Sequence, residues 1–384
     1  MNAPSQHKCP LVIGHRGAPA YRPEHTAEGY LLAVRQGADA LEPDVVPTRD
    51  GVLLIRHEPM LGASTDIAAR PTEFGHARTR STPDGSLTDW FAHDFTWEQL
   101  GPLRAVERIP HIRPANAVCD GTSALMRLRE LVELVEHERT AAGARPRLVI
   151  ELKHASWFRE LGFDLAALLE RELAGLWGSP ALEGLVIESF EGEVLRDLRR
   201  RGIAVDASLV YLIDDEGAPH DRLARDGSRA QSYASDLTGP GLDAVAGWAD
   251  GISLSHLLLG VRDEASAAHP QAGRRLVERA HARGLAVYTW TLRPEDAFLP
   301  TAFEGRPEAY WRGILRTGVD GVFADAPDRV RALVDAQTRR TERTERSDPA
   351  ARTRHARDAG SRDREPASLA PLCSSEERAG ADCA

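Results

Sequence analysis

Lysine is almost absent from this chain of 384 residues: only Lys8 and Lys153 occur, and arginine fills nearly every other basic position. A compact ammonium kept at Lys153, two residues after Glu151, is therefore a candidate for function rather than for surface charge. Cysteine is nearly as scarce. Cys9, Cys119, Cys373 and Cys383 are widely spaced and form no Cys-x-x-Cys, which argues against a zinc site or a disulfide framework and makes reduced thiols in the cytoplasm the default reading. Positive charge is in deficit too. Forty-eight basic residues face 58 acidic ones, a net charge of −10, so no global positive field exists to hold nucleic acid or an anionic membrane surface. No run approaches the ~18 consecutive apolar residues of a membrane span. The stretch from Met1 to Pro10 also lacks the apolar segment, roughly 7 to 15 residues long, of a secretory signal, so export is open only if the start site is misassigned. Nothing in the sequence assigns an oligomeric state.

What is present is a repeating pattern. Short β-branched runs alternate with longer segments of helical period, as in successive βα units. Strands are expected at residues 11–15, 40–46, 148–153, 185–190, 204–210, 251–254, 285–290 and 321–323, and helices at 26–36, 123–140, 164–174, 191–201, 274–283 and 307–316. This order predicts a TIM-type (β/α)8 barrel over residues 1–338 rather than an open doubly wound sheet. Residues 62–117 carry no steady period and are too long for a plain βα loop, so they predict a small inserted subdomain; a shorter insertion, 214–240, follows the fifth strand. From about Arg339 onward, arginine alternates with acids among small residues. Such a segment buries too little apolar surface to offset its ordering entropy, and residues 339–384 are expected to form a disordered charged tail with Cys373 and Cys383 as exposed thiols.

A barrel demands that functional side chains stand at the C-terminal ends of its strands. The first strand ends in His15-Arg16-Gly17, the second carries Glu42 and Asp44, and the third ends in Glu151-x-Lys153. Thr48-Arg49-Asp50-Gly51 is a hairpin turn signal that sends the chain back to His57 at the same end. Two residues apart on a strand, Glu42 and Asp44 share a face, and two carboxylates on one buried face repel unless a cation or proton separates them. With Glu151 from the neighbouring strand they make an oxygen set suited to Ca²⁺ or Mg²⁺. His15 and His57 are the natural acid and base, and Arg16 offers a permanent fork of donors that matches a phosphate.

These residues carry a resemblance. Gly14-His15-Arg16-Gly17-Ala18, Pro23-Glu24-His25-Thr26, Leu41-Glu42-Pro43-Asp44-Val45, Thr48-Arg49-Asp50-Gly51 and His57-Glu58-Pro59-Met60-Leu61 resemble the glycerophosphodiester phosphodiesterases, and the likeness continues through Glu151-Leu152-Lys153, Ser189-Phe190, Trp248-Ala249-Asp250-Gly251 and Gly318 to Pro327. The insertion after His57 and the Lys-x-x-x-Trp-Phe pattern look most like a longer bacterial branch, often exported and calcium-dependent.

The resemblance implies one divalent cation, Ca²⁺ first and Mg²⁺ second, on Glu42, Asp44 and Glu151. It implies His15 and His57 as general acid and base, and Arg16 and Lys153 at the phosphate. The expected reaction is hydrolysis of a small-molecule glycerophosphodiester to glycerol 3-phosphate and an alcohol, by attack of water or of the neighbouring glycerol hydroxyl. Trp157, Phe190 and Trp290 are expected as an apolar wall for the glycerol carbons, with Glu24 and His25 shaping the first loop and His256 and Asp325 as further candidates. Two positions depart from the family pattern: Glu58 stands where Asp is usual, and Pro43 lies between the metal acids. Alternative readings are a lysophospholipase D or sphingomyelinase D on the same barrel, which would need an apolar mouth, and a non-catalytic metal-binding barrel, which should have lost a catalytic group. Removing every residue after Ala336 is expected to leave turnover and Tm unchanged; a large fall of either in the truncated protein would show that the tail is structural.

Overall fold

The structure, a computed structural model, describes residues 9–83 and 85–347. The chain divides into two compact units, Met1–Asp335 and Ala336–Ala384, and the fold below is that of the first. The last helix, Pro327–Ser347, runs through position 339, where the sequence predicts the tail to begin. The remainder of that expected tail, with Cys373 and Cys383, lies outside the described residues. Among the described residues no helix is long and apolar enough to cross a membrane.

Among the described residues twelve strands form in chain order: β1 (Leu11–His15), β2 (Ala40–Glu42), β3 (Asp44–Pro47), β4 (Leu53–Ile55), β5 (Arg78–Thr82), β6 (Gly85–Asp89), β7 (Arg147–Leu152), β8 (Val186–Ser189), β9 (Ser208–Ile213), β10 (Gly251–Ser255), β11 (Ala286–Leu292) and β12 (Gly321–Ala324). Parallel pairing runs from β2 through β1, β12, β11, β10, β9 and β8 to β7, and β7 pairs with β2 and β3, which closes the ring. β2 and β3 are one stave interrupted at Pro43. Proline has no N–H to give the ladder, yet its carbonyl still accepts from the Glu151 amide at 2.9 Å, so the stave stays in place across the break. The result is the expected eight-staved (β/α)8 barrel.

β4 returns antiparallel on β3, with Val45 opposite Ile55. The turn between them forms because Thr48 Oγ1 donates to Asp50 at 2.6 Å and Gly51 takes φ 75°, a left-handed conformation that glycine adopts without strain. This hairpin delivers His57 to the C-terminal end of the barrel.

The sequence boundaries hold within a few residues except at two elements. The strand expected at 204–210 is Ser208–Ile213, because Ala204 is left-handed (φ 54°) and Val205 stands 78% exposed in the turn before it. The helix expected at 123–140 is only Leu128–His137. Ala124 and Arg127 instead make antiparallel bridges to Arg104 and Leu54, so their backbone groups are already committed.

Ile13, Ala40, Val149, Val186, Val210 and Phe323 form a separate apolar cluster from six staves, the plug of the barrel interior. A much larger cluster fills the space between the staves and the helices. Residues 62–117 hold the β5–β6 hairpin and several short helical turns, and their Ile67, Phe91, Leu100, Leu103 and Ala105 belong to that larger cluster. His93, from the same segment, is buried with neither ring nitrogen hydrogen-bonded. Its ring meets Phe91, Trp157, Phe158 and Phe163 at centroid distances of 5.3 to 6.4 Å.

Burial, with a smaller contribution from Arg80, lowers the His93 pKa to about 4. An unfolded histidine titrates near ~6.5, so below that pH the unfolded chain binds a proton that the folded one excludes, and stability falls as pH drops from about 6.5 towards 4. His93→Phe removes this contribution. Urea denaturation at pH 7 and pH 5 is expected to show the variant losing about 1–2 kcal/mol less than the wild type over that interval; equal losses would refute the assignment.

Candidate active site

Side chains alternate along a strand, so the residues two positions beyond the plug enter the same interior one layer higher. Ile13 is followed by His15, Ala40 by Glu42, Val149 by Glu151, Val186 by Glu188, and Phe323 by Asp325. Register brings them level: His15 lies opposite Glu42, Asp44 opposite Glu151, and Glu151 opposite Glu188. A cavity of about 200 Å³ opens above this layer. It is lined by both histidines, His15 and His57, by Glu42, Glu151 and Glu188, by the cations Arg16, Arg108, Lys153 and Arg293, and by Phe190 and Trp290.

Both imidazoles are held the same way. His15 Nδ1 pairs with Asp325 Oδ1 at 2.7 Å and His57 Nδ1 with Glu58 Oε1 at 2.5 Å, which leaves Nε2 of each ring as the atom available for proton transfer. Burial and then Arg16 lower the His15 pKa to about 4 against the pull of Asp325. Burial, Arg16 and Lys153 likewise hold His57 well below the usual histidine range. Both rings are therefore neutral near pH 7 in the absence of substrate.

One oxygen each of Glu42, Glu151 and Glu188 lie within 4.8 Å of one another. Burial first, and then repulsion from Asp44 for Glu42 and Glu151 and from Glu151 and Asp44 for Glu188, push these carboxyls up, Glu151 to about 8 against the pull of Lys153. Glu188 Oε2 and Asp44 Oδ1 are buried without a hydrogen-bond partner. An all-oxygen set of crowded, under-satisfied carboxylates fits a hard divalent cation.

The positive side is equally fixed. Arg16 Nη1 donates to Glu24 Oε2 at 3.1 Å, and its Nε lies 3.1 Å from Asp44 Oδ2. Arg108 shares the same Glu24 oxygen. Lys153 Nζ sits 2.8 Å from Glu151 Oε1 and 5.6 Å from the Phe190 ring centroid. Burial opposes its charge, but Glu151 and Asp44 outweigh it and raise the lysine pKa.

Known proteins resemble this chain in sequence and fold. The sequence profile of the Glycerophosphoryl diester phosphodiesterase family covers residues 15–329. The chain belongs to that family of phosphoric diester hydrolases. Similar members include a glycerophosphodiester phosphodiesterase of Arabidopsis thaliana, 27% identical over 334 residues that span 84% of this chain and 85% of the relative. A probable glycerophosphodiester phosphodiesterase of Mycobacterium tuberculosis is 30% identical over 285 residues, 74% of this chain and 82% of its own. Among solved structures, a putative glycerophosphoryl diester phosphodiesterase of Silicibacter pomeroyi superposes with a TM-score of 0.59 at 26% identity, covering 86% of this chain and 95% of the other. An Oleispira antarctica phosphodiesterase solved with sn-glycerol-3-phosphate shares the fold, with a TM-score of 0.50 at 18% identity over 85% of this chain and 97% of the other.

In this member of the family the residues expected from sequence divide into three groups. His15, His57, Arg16, Lys153, Glu42, Glu151, Phe190 and Trp290 all line the cavity. Asp44 does not. It is fully buried, with Oδ2 taken by Arg16 and by His25 Nε2 at 2.9 Å and Oδ1 left unpartnered, and its carboxyl lies close enough to Glu42 and Glu151 to push both up, while Glu188 joins Glu42 and Glu151 in a tight cluster. Glu42 ends β2 and Asp44 starts β3, on either side of Pro43.

Trp157 is the clear correction. It is 5% exposed, packs in the main core at 4.7 Å from Phe158, and donates its indole N–H to the Ser81 carbonyl. His256 faces a neighbouring groove and pairs with the Tyr310 hydroxyl, whereas Asp325 does belong to the site through His15. Sequence reading missed Glu188, Arg108 and Arg293. The signal for Glu188 was there, since Leu185-Val186-Ile187-Glu188 repeats Leu148-Val149-Ile150-Glu151 one stave later. Arg108 comes from the aperiodic insertion and carries no such mark. Trp157→Ala is expected to cost about 3–5 kcal/mol of stability in urea denaturation while leaving KM for a diester substrate unchanged; a raised KM at undiminished stability would return Trp157 to the substrate wall.

Proposed function

We propose that the chain hydrolyses glycerophosphodiesters to glycerol 3-phosphate and an alcohol by paired-histidine acid–base catalysis. The observation that carries this reading is the pair of imidazoles, each anchored at Nδ1 by its own carboxylate and each lining one cavity with four cations and a carboxylate cluster. Arg16, Lys153, Arg108 and Arg293 receive the phosphate and oppose the negative charge that spreads over its oxygens as the reaction proceeds. Glu42, Glu151 and Glu188, with Asp44 beside them, would hold a divalent cation, Ca²⁺ first and Mg²⁺ second, which would supply further charge neutralisation at the phosphoryl oxygens.

The chain's own residues handle the protons. One Nε2 takes the proton of the attacking oxygen, either water or the substrate's free glycerol hydroxyl, and the other delivers one to the departing alkoxide as its P–O bond breaks. The substrate's negative charge favours the protonated form of the donor ring. Asp325 and Glu58 fix the ring orientations and stabilise each imidazolium as it forms. Glu58 in place of the usual Asp keeps this function, because its carboxylate still reaches His57 Nδ1.

A second reading, cleavage of lysophospholipids, is favoured by one specific feature. A groove of about 1050 Å³ shares Trp290, Thr291 and Arg293 with the reactive cavity and continues past Leu257, Leu258, Val261, Phe298 and Leu299. Such a surface suits an acyl chain, which the polar segment 62–117 does not. Release of choline from lysophosphatidylcholine at a kcat/KM equal to or above that for glycerophosphocholine would favour this reading over the first.

His15→Ala and His57→Ala are each expected to lower kcat on glycerophosphocholine by ~10² or more with the circular dichroism spectrum unchanged, and a chelator is expected to abolish turnover until Ca²⁺ or Mg²⁺ is restored. Either variant keeping most of its activity would defeat the paired-histidine assignment, and full turnover in chelator would defeat the metal.

A further inference from the structure

The insertion, residues 62–117, contributes a buried guanidinium, Arg113, that meets the His15 side of the site without lining the reactive cavity. Its Nη2 donates to Asp325 Oδ2 at 2.5 Å, and Asp325 Oδ1 is the oxygen paired with His15 Nδ1. We infer that Arg113 is a positioning residue for the acid–base step: by fixing the second oxygen of Asp325, it sets the direction of the carboxylate that orients His15. The inference rests on the paired-histidine phosphodiesterase reading and gives the insertion a part in it.

Geometry is the first argument. The terminal torsion of an aspartate is broad, so a carboxylate held at one oxygen alone can still turn. Asp325 is held at both. Arg113 Nε and Nη2 also take the two oxygens of Glu295 at 2.6 and 3.1 Å, and Nη1 donates to the Pro19 carbonyl at 2.9 Å. One planar fork therefore joins the loop after β1, the loop after β11 and the residue that follows β12, a set of directions that a lysine could not reproduce. The segment that carries Arg113 is fixed in turn. Asn116 Nδ2 donates to the same Pro19 carbonyl at 2.8 Å and to Glu107 Oε2 at 2.9 Å, while Glu107 Oε1 accepts from the Ile109 amide at 2.9 Å.

Charge is the second argument. Burial opposes ionisation of Asp325, yet Arg113 first, then His15 and Arg293, hold its carboxyl well below the usual carboxylate range. Burial likewise opposes the charge on Arg113, and Asp325 and Glu295 outweigh it. Arg293 Nε approaches the same Asp325 oxygen at 3.4 Å but also lines the reactive cavity, so Arg113 is the cation that serves Asp325 without facing substrate. An ionised Asp325 draws the ring proton to Nδ1 and leaves Nε2 as the exchanging atom. The anchor of His57 is built differently. Glu58 is partly exposed and, among the described residues, forms no ion pair with an arginine or lysine, so Arg113 acts on one histidine of the pair.

The test is a double-mutant cycle read in kcat and KM on glycerophosphocholine with Ca²⁺ supplied, using the wild type, Arg113→Met, Asp325→Asn and the variant carrying both. Arg113→Met is expected to lower kcat roughly tenfold with KM unchanged, and to lower it little further once Asp325 is replaced. Arg113→Lys keeps the cation without the fork and is expected to recover part of the loss. Circular dichroism melting shows whether each variant is folded, and where the methionine variant is not, the lysine variant takes its place in the cycle with the same direction expected. An unchanged kcat, a loss carried by KM alone, or losses that multiply in the variant carrying both substitutions overturns the positioning role and leaves the phosphodiesterase reading standing. Absence of wild-type turnover on glycerophosphocholine, glycerophosphoethanolamine and glycerophosphoglycerol removes that reading instead.

Discussion

Four carboxyl groups, Glu42, Asp44, Glu151 and Glu188, are packed at the mouth of one barrel with almost no access to water. Taking charges out of water is expensive, and like charges a few ångströms apart in a low-dielectric interior repel strongly. The rest of the site is organised around this constraint. Arg16 and His25 take one edge of Asp44, Lys153 lies against Glu151, and what remains is a set of oxygens that only protons or a cation can balance. A barrel whose only task was stability would gain by replacing such a cluster with apolar residues. Its retention marks the mouth of this barrel as the place where the chain works.

The fold supplies the geometry through a single periodicity. An apolar plug fills the barrel interior, and each stave then adds one more inward residue, so a polar layer is stacked directly on a rigid floor. Because neighbouring staves are in register, the functional groups meet without any long loop having to place them. Other elements reach the site from outside this scheme. The β3–β4 hairpin returns His57, and the insertion contributes Arg108.

This division explains what could be read in the sequence. His15, Glu42, Glu151 and Lys153 were legible because a polar residue at the end of an apolar β-branched run has few explanations other than a site. Glu188 obeys the same rule, directly before Ser189-Phe190. Asp44 has a second task that the sequence does not mark: close to Glu42 across Pro43, it also anchors Arg16 and His25 through one oxygen. Trp157 was misread because an aromatic shortly after a strand end has two destinations, the mouth or the helix layer. In this chain the ring packs with Phe158 in the main core. Arg108 belongs to a segment without period, where nothing local ties a residue to a point in space.

The two histidines depend on the fold in different degrees. His57 takes its carboxylate from the adjacent residue, Glu58, so its orientation is a local property of the hairpin. His15 takes its carboxylate from Asp325, 310 residues away along the chain. These two meet only because β1 pairs with β12, with Gly14 opposite Ala324, which is the seam where the first stave closes on the last. Asp325 is in turn held by Arg113 from the insertion and approached by Arg293 beyond β11, so the seam, the insertion and the loop at the mouth all bear on one imidazole. An incompletely closed barrel would thus present His57 correctly oriented and His15 without its anchor. The paired acid–base chemistry proposed for this chain would consequently be a property of the closed ring of staves and not of either histidine motif alone.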